Sequence, residues 1–226
     1  MNEPSKKVEE VENGTSSLTP QSKQSYEENF PVGSFLISSQ LRPHVLAFYA
    51  LARATDDIAD SADLKPDEKI RRLESFEKAL LAKKKHGKNS SVVCDMVKSS
   101  KTTGVSIEYS LDLIKAFKQD VYKKRYETWS DLIQYCNFSA APVGRFLIDL
   151  HSEDHLNYEY SDALCNALQV LNHLQDLRDD YLALGRVYLP MTWIHECNAE
   201  IEDLGAASSS KALRLVINKC LDRCED

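Results

Sequence analysis

Residues Ala50–Asp63 read ALARATDDIADSAD, and the reading of this stretch decides the fold. Its Ala-rich frame contains no Gly or Pro and favours a helix, yet it carries Asp56, Asp57 and Asp60. In a helix Asp56 and Asp60, four apart, share one face, while Asp57 is turned by about 100° from Asp56. A solvated acidic stripe is the plain alternative. However, Tyr49, Ala50, Leu51, Ala52, Ala54, Ile58 and Ala59 surround the acids with apolar surface. That neighbourhood predicts burial, where unpaired carboxylates are costly unless a cation compensates them.

A second acidic stretch, LNHLQDLRDDYLALGRVYLP at Leu171–Pro190, repeats the theme. Asn172, Asp176 and Asp180 recur every four residues, which predicts a slowly drifting stripe of oxygen ligands on one helix face. One such stripe is common on exposed helices. Two of them on separate, otherwise apolar helices predict a cleft that holds Mg²⁺, which takes oxygen ligands, keeps some waters and binds substrate phosphates.

The rest of the chain agrees with a helical frame. Among 226 residues there are 7 Gly and 7 Pro, with 42% hydrophobic content and no alternating Val/Ile/Thr runs, so the expectation is an all-α protein with a sizeable core. A net charge of −7 argues against nucleic-acid binding, which needs a Lys/Arg surplus on the binding face. Six cysteines are scattered without a C-x-x-C pair and read as reduced core thiols. No apolar run reaches the ~20 residues of a membrane span, and the N-terminus lacks the apolar segment of a signal peptide; a cytoplasmic location is expected.

Residues 1–25 hold no aromatic residue and few apolar ones and read as a flexible tail, which leaves 26–226 as one domain. Pro43 suits the first turn of a helix through about Ser61, and Pro66 that of a helix through about Lys85. Apolar-periodic runs cover about 90–99 and 106–122. Thr128 and Asp131 cap a helix that is expected to reach His151, and Ser161 caps one that is expected to end at Gly185. His151 and His155 are four apart but follow a helix end, so a zinc site is not the expected reading. The KKKHGK run at 83–88 reads as a solvated helix end; contact with a lipid surface is its sharper alternative.

TDDIAD, NHLQDLRDD and the following GRVYLP resemble the two aspartate-rich motifs of the squalene and phytoene synthases, the head-to-head isoprenyl diphosphate synthases. The resemblance extends from ENFPVGSFLISSQLRPHVLAFYALAR through FKQDVYKKRYETW and YCNFSAAPVGRFLIDL, over about residues 27–195. ENFPV and SAAPVGR look most like the hydroxysqualene synthase branch of bacterial hopanoid biosynthesis. The resemblance implies an isoprenoid-synthase helical bundle around a central cavity. The chain stops at Asp226, where relatives continue through two or three more helices, so the last helices are expected to be absent.

Residue by residue, the resemblance implies Asp56, Asp60, Asn172, Asp176 and Asp180 as Mg²⁺ ligands. It makes Arg53, Tyr49 and Tyr135 the catalytic candidates. Phe30, Arg42, Arg53, Gln175, Arg178, Arg186 and Tyr188 are the implied contacts to substrate and diphosphate. Arg53, one turn before Asp56, is expected to pair with it at rest and to meet diphosphate when metals bind. Aromatic faces, Phe48 among them, are expected to wall a developing carbocation, each by about 0.5–2 kcal/mol.

Two positions depart from many members: Gln175 stands where Arg is usual, and Asn29 where Ser is usual. Gln offers neutral hydrogen bonds where Arg would add a fixed charge, which favours one diphosphate substrate over two. The implied reaction is therefore conversion of presqualene diphosphate to hydroxysqualene and diphosphate. Its rival is head-to-head condensation of two prenyl diphosphates such as farnesyl diphosphate. A rival of another class is a non-catalytic subunit that binds a prenyl diphosphate or a partner isoprenoid synthase. Lipid substrate and product make peripheral membrane contact part of the expectation.

Overall fold

The computed structural model describes residues 37–82 and 91–225. The N-terminal tail, Asn29, Phe30 and the 83–88 lysine run lie outside the described residues.

Helix α1 (Arg42–Asp60) has Pro43 in its first turn, where the missing N–H would be unsatisfied anyway. Its buried face is Val45, Phe48, Leu51, Thr55 and Ala59, at the three-or-four spacing of a helix. Thr55 fits among apolar residues because its hydroxyl donates to the Leu51 carbonyl at 2.8 Å. Helices α2 (Pro66–Leu81), α3 (Ser91–Thr103) and α4 (Glu108–Tyr122) pack around α1. Among the described residues α2 ends at Leu81, with Ala82 already extended, and α3 runs to Thr103, past the expected 99.

The single helix expected from Thr128 to His151 is two: α5 (Trp129–Ser139) and α6 (Ala141–Leu150). The break is at Ala140 (φ −127°, ψ −50°), because Pro142 has no N–H and its ring conflicts with the carbonyl four residues before it. The start is as expected. Thr128 accepts the Asp131 N–H at 3.2 Å, and Asp131 in turn accepts the Glu127 N–H at 3.0 Å.

Helix α7 (Tyr158–Gln175) begins three residues before Ser161. Its entry is set by Asp154, which accepts the Leu156 N–H at 2.9 Å in a single 3₁₀ turn. Ser161 instead faces Gly144 on α6, where an added Cβ would lie 2.2 Å from its Oγ; the glycine permits this close helix crossing.

The helix expected to continue through Gly185 is interrupted at Asp176. After it come the short turn α8 (Leu177–Asp179) and a wider π turn, Asp180–Leu184. The Asp176 and Asp180 amides still donate to the carbonyls of Asn172 and Asp176, at 3.0 and 2.8 Å. The three acidic-motif positions therefore stay one turn apart although the helix is not continuous. Gly185 (φ 65°) ends the turn in the left-handed conformation, and the Arg186 N–H reaches back to the Asp180 carbonyl at 3.1 Å.

Strand β2 (Val187–Pro190) pairs in parallel with β1 (Arg125–Tyr126), with Arg125 opposite Val187 and Tyr126 opposite Pro190. Helices α9 (Met191–Glu196) and α10 (Lys211–Glu225) complete the described fold. The apolar interior has two clusters. One joins α1–α4 and α6 through Leu51, Leu73, Met96, Ile114 and a Phe48–Phe146 stack at 4.1 Å. The other joins α5, α7, β1, β2 and α10 through Tyr126, Leu132, Val170, Leu189 and Val216.

The phase of α1 is directly testable. Leu51 is 1% exposed and Leu46 44%. Leu51→Ala is expected to lower unfolding stability by about 2–5 kcal/mol, and Leu46→Ala by about 0.5 kcal/mol or less, both read from denaturant unfolding curves.

Candidate functional site

The acidic end of α1 lies at the seam between the two clusters. Asp56, Asp57 and Asp60 are half-buried there, more exposed than the apolar neighbourhood alone predicts. Arg53 pairs with Asp56 at 3.0 Å and with Asp57 at 2.8 Å. Asp57, turned away from the expected ligand face, is the most buried of the three at 17% side-chain exposure, because this ion pair holds it against the helix. On the far side Arg186, 5% exposed, places Nη1 2.6 Å from Asp60 Oδ1. Burial disfavours the charge of Arg186, but the neighbouring Tyr188, Asp60 and Asp120 outweigh it and keep the guanidinium charged. Its buried Nε–H has no hydrogen-bond partner among the described residues. The first motif and the GRVYLP segment that follows the second are thus tied directly.

Asp120, on the buried face of α4, is the centre of a second group. It is 2% exposed and accepts hydrogen bonds from the Tyr135 hydroxyl at 2.7 Å and the Tyr188 hydroxyl at 3.1 Å. Tyr126, Tyr135 and Tyr188 cluster with ring centroids 5.3–5.6 Å apart. His173 stacks on Tyr188 at 3.6 Å. Burial pushes Asp120 up to about 6, with the Arg186 charge and the two hydroxyls acting against it. Burial, then the Arg186 charge, push His173 down to about 3, so this imidazole is neutral.

The carboxyls of both motifs share one field. Burial and then Asp60 raise Asp56, while Arg53 opposes. Burial and then Asp176 push Asp180 up to about 6, with Asp60 and Asp120 adding to the rise. Lys69 and Lys124 belong to the same neighbourhood. Their ammonium groups donate to the Ala59 and Asp120 carbonyls at 2.7 and 2.9 Å, and both are lowered by burial and then by Arg186.

The structure therefore brings Arg53, Asp56, Asp60, Asp176, Asp180, Arg186, Tyr135 and Tyr188 into one region. Asn172 stands one turn before Asp176 on α7, half-buried. Gln175, Asp176 and Arg178 are exposed. Arg42 lies eleven residues before Arg53, roughly 16 Å along the helix, and donates to the Ile37 carbonyl at 2.8 Å. Tyr49 is half-buried against the α1–α4 cluster, and Phe48 is core, stacked on Phe146 rather than on the site. His151 and His155 diverge: one bonds the Leu147 carbonyl, the other faces Asp149 at 3.2 Å. All six cysteines are free thiols.

Asp120, His173, Lys69 and Lys124 were not singled out from sequence. Asp120 had a signal: it follows Leu113 and Ala116 at helical spacing on the apolar face of α4, so an acid occupies a core position.

Among the described residues no three Asp, Glu, His or Cys side chains converge into a ready-made metal centre. The donors nonetheless fit Mg²⁺, which is held by one or two carboxylates plus waters and substrate phosphates rather than by an all-protein cage. They are hard oxygens, raised at Asp56 and Asp180 by burial and then by a neighbouring carboxylate, and the buried Arg186 Nε–H is a donor suited to a phosphate oxygen.

The sequence pattern of the squalene/phytoene synthase family matches residues 23–226, and the chain belongs to that family. It is 46% identical over 184 residues to a hydroxysqualene synthase of Sinorhizobium fredii, covering 81% of this chain and 62% of that protein. It is 43% identical to the hydroxysqualene synthase of Rhodopseudomonas palustris, covering 86% of this chain and 64% of that protein. The chain thus spans 62–64% of the length of these relatives. Its fold matches the crystal structure of squalene synthase HpnC from Alicyclobacillus acidocaldarius with a TM-score of 0.75 at 32% identity, over 89% of this chain and 75% of that one. The helical isoprenoid-synthase fold expected from sequence is the observed one.

Asp120 gives a pH prediction. Its folded pKa is raised, so its stabilising contribution is complete below the unfolded value near 3.8 and is lost as pH rises through about 6. His173 has the opposite sign, contributing above 6.5 and losing as pH falls, but it cancels between two variants that both carry it. Asp120→Asn is therefore expected to gain stability relative to the parent as pH rises from 4 to 8, by up to about 3 kcal/mol. Paired denaturation curves across that range measure the difference; a pH-independent difference contradicts the assignment.

Proposed function

We propose that this chain carries the diphosphate-handling site of a hydroxysqualene synthase. Its substrate is presqualene diphosphate, and its products are hydroxysqualene and free diphosphate. The observation that supports this most is the Asp60–Arg186 pair: it ties the first acidic motif to the segment that follows the second, around a buried cation with a donor left over. The identity to hydroxysqualene synthases supports the branch.

In this reading Asp56, Asp60, Asn172, Asp176 and Asp180 hold Mg²⁺. When bound, the metal supplies Lewis-acid pull on the diphosphate oxygens and orients them. Arg186, Lys69 and Lys124 add fixed positive charge beside the same anion, and Arg53, one turn before Asp56, would be a further donor to it. The carbon–oxygen bond breaks with its electron pair going to diphosphate. The cyclopropylcarbinyl cation rearranges, a water oxygen adds, and the proton released passes to diphosphate. The Tyr126, Tyr135 and Tyr188 faces attract cationic carbon without reacting with it; Asp120 fixes the orientation of Tyr135 and Tyr188.

Gln175 offers neutral hydrogen bonds where Arg would add a fixed charge, which leaves Arg178 as the cation of the second motif and favours one diphosphate over two. Condensation of farnesyl diphosphate is accordingly assigned to a partner synthase. Among the described residues no helix is long and apolar enough to cross a membrane; contact with a lipid surface is the proposed route for so apolar a substrate, from a cytoplasmic location.

Asp56→Asn and Asp176→Asn are each expected to lower turnover of presqualene diphosphate by at least about 10²-fold, or roughly 2.7 kcal/mol of barrier, with helical content unchanged. Product mass analysis checks this in full-length protein. Retained turnover within threefold for both variants rules the site out, and equally fast conversion of farnesyl diphosphate to presqualene diphosphate would replace the reading with the condensing one.

A further inference from the structure

His173 sits inside the second acidic motif, between Asn172 and Leu174, yet it is not among the ligands the motif offers. Its ring is 8% exposed and fixed on several sides. Tyr188 stacks on it at 3.6 Å with 11° between the planes, and Tyr188 is itself held by its hydrogen bond to Asp120. Tyr135 flanks the ring at 6.0 Å. The Gln169 side-chain nitrogen lies 3.1 Å from Nε2. An amide nitrogen is a donor, so Nε2 is the acceptor and the ring proton resides on Nδ1. That nitrogen faces Asp180, 4.0 Å from Oδ2, outside hydrogen-bond range but within a small side-chain rotation of it.

We infer that His173 is a positioning residue: Gln169 fixes its tautomer, Tyr188 fixes its ring plane, and the resulting Nδ1–H aims the Asp180 carboxylate into the diphosphate site. This rests on the proposed Mg²⁺–diphosphate site. Asp180 stands where the chain passes into the wider π turn, and the structure shows no side-chain hydrogen bond to its carboxylate among the described residues, so His173 is the donor nearest to hand. Carboxylate ligands are commonly oriented by an outer hydrogen bond, whose loss costs about 10–100-fold in metal affinity. The bland reading is a core histidine satisfied by Gln169 and by stacking alone.

Three variants separate the readings. His173→Phe keeps the ring on Tyr188 and removes the donor. His173→Asn removes the ring but keeps an amide donor near the Nδ1 position. His173→Gln sets its amide near Nε2 and leaves Asp180 without a donor. The full chain is titrated with Mg²⁺ at fixed inorganic diphosphate, and the midpoint is read by thermal stabilisation. Positioning is expected to shift the midpoint of His173→Phe upward by about 10–100-fold while His173→Asn stays within about threefold of the parent. If His173→Phe does not fold by circular dichroism, His173→Gln serves as the donorless variant with the same expectation. A donorless variant with the parent's midpoint, or His173→Asn impaired as much as the donorless one, overturns the inference. A parent that shows no response to Mg²⁺ and diphosphate refutes the site itself and the inference with it, whereas a responsive parent with unaffected variants refutes only the role of His173.

Discussion

The structure is organised by one electrostatic constraint: carboxylates from separate elements are withdrawn from water at a single seam, and buried negative charge has to be compensated. Removing a carboxylate from bulk water costs several kcal/mol, and only a well-placed cation or several hydrogen bonds recover it. Arg186 is the cation that meets the most of these demands. It pairs with Asp60 at 2.6 Å and is close enough to Asp120 and Asp180 to oppose their protonation. It thereby links acids carried by α1, α4 and the π turn.

The chain folds so as to deliver Arg186 there. An ordinary helix continued past Asp180 would carry the following residues outward along its axis. The π turn and the left-handed Gly185 reverse the backbone within a few residues. The pairing of β2 with β1 then draws the segment against the α4–α5 junction, where the Val187 N–H donates to the Lys124 carbonyl at 3.0 Å. The same pairing sets Tyr188 beside Tyr126 and within reach of Asp120. A two-strand feature too small to affect the fold class thus decides where the site's cation and one of its aromatic rings stand.

What the sequence disclosed follows from which signals are local. Helix starts marked by Pro43, Pro66 and Thr128 were legible because caps act over three or four residues, and the two acidic motifs because their spacing is itself the signal. The breaks at Ala140 and Asp176 were harder. Pro142 was visible but was read through, while nothing in LNHLQDLRDD announces an interrupted helix. The phase of α7 was obscured because Leu164 and Leu168 are 61% and 50% exposed, so apolar periodicity does not mark its buried side. Asp120 and His173 acquire their meaning from contacts 15 and 68 residues away for the one and 15 for the other, which no window of sequence displays.

These contacts also divide the acids into two kinds. Asp120 is buried most deeply, yet two phenol hydroxyls satisfy it, and its role is to hold Tyr135 and Tyr188 in place. Asp180 is less buried but gains no comparable set of donors, and its neighbours include like charges. The more completely a carboxylate is satisfied by the protein, the less it offers to an incoming cation. On that argument Asp180 is the acid that the fold leaves most open to an incoming cation, and Asp120 belongs to the scaffold. His173 stands at the boundary, since it is locked to the Asp120 group through Tyr188 and faces the under-compensated group at Asp180. It is therefore the side chain that joins the rigid aromatic cluster to Asp180, one of the carboxylates proposed to hold Mg²⁺.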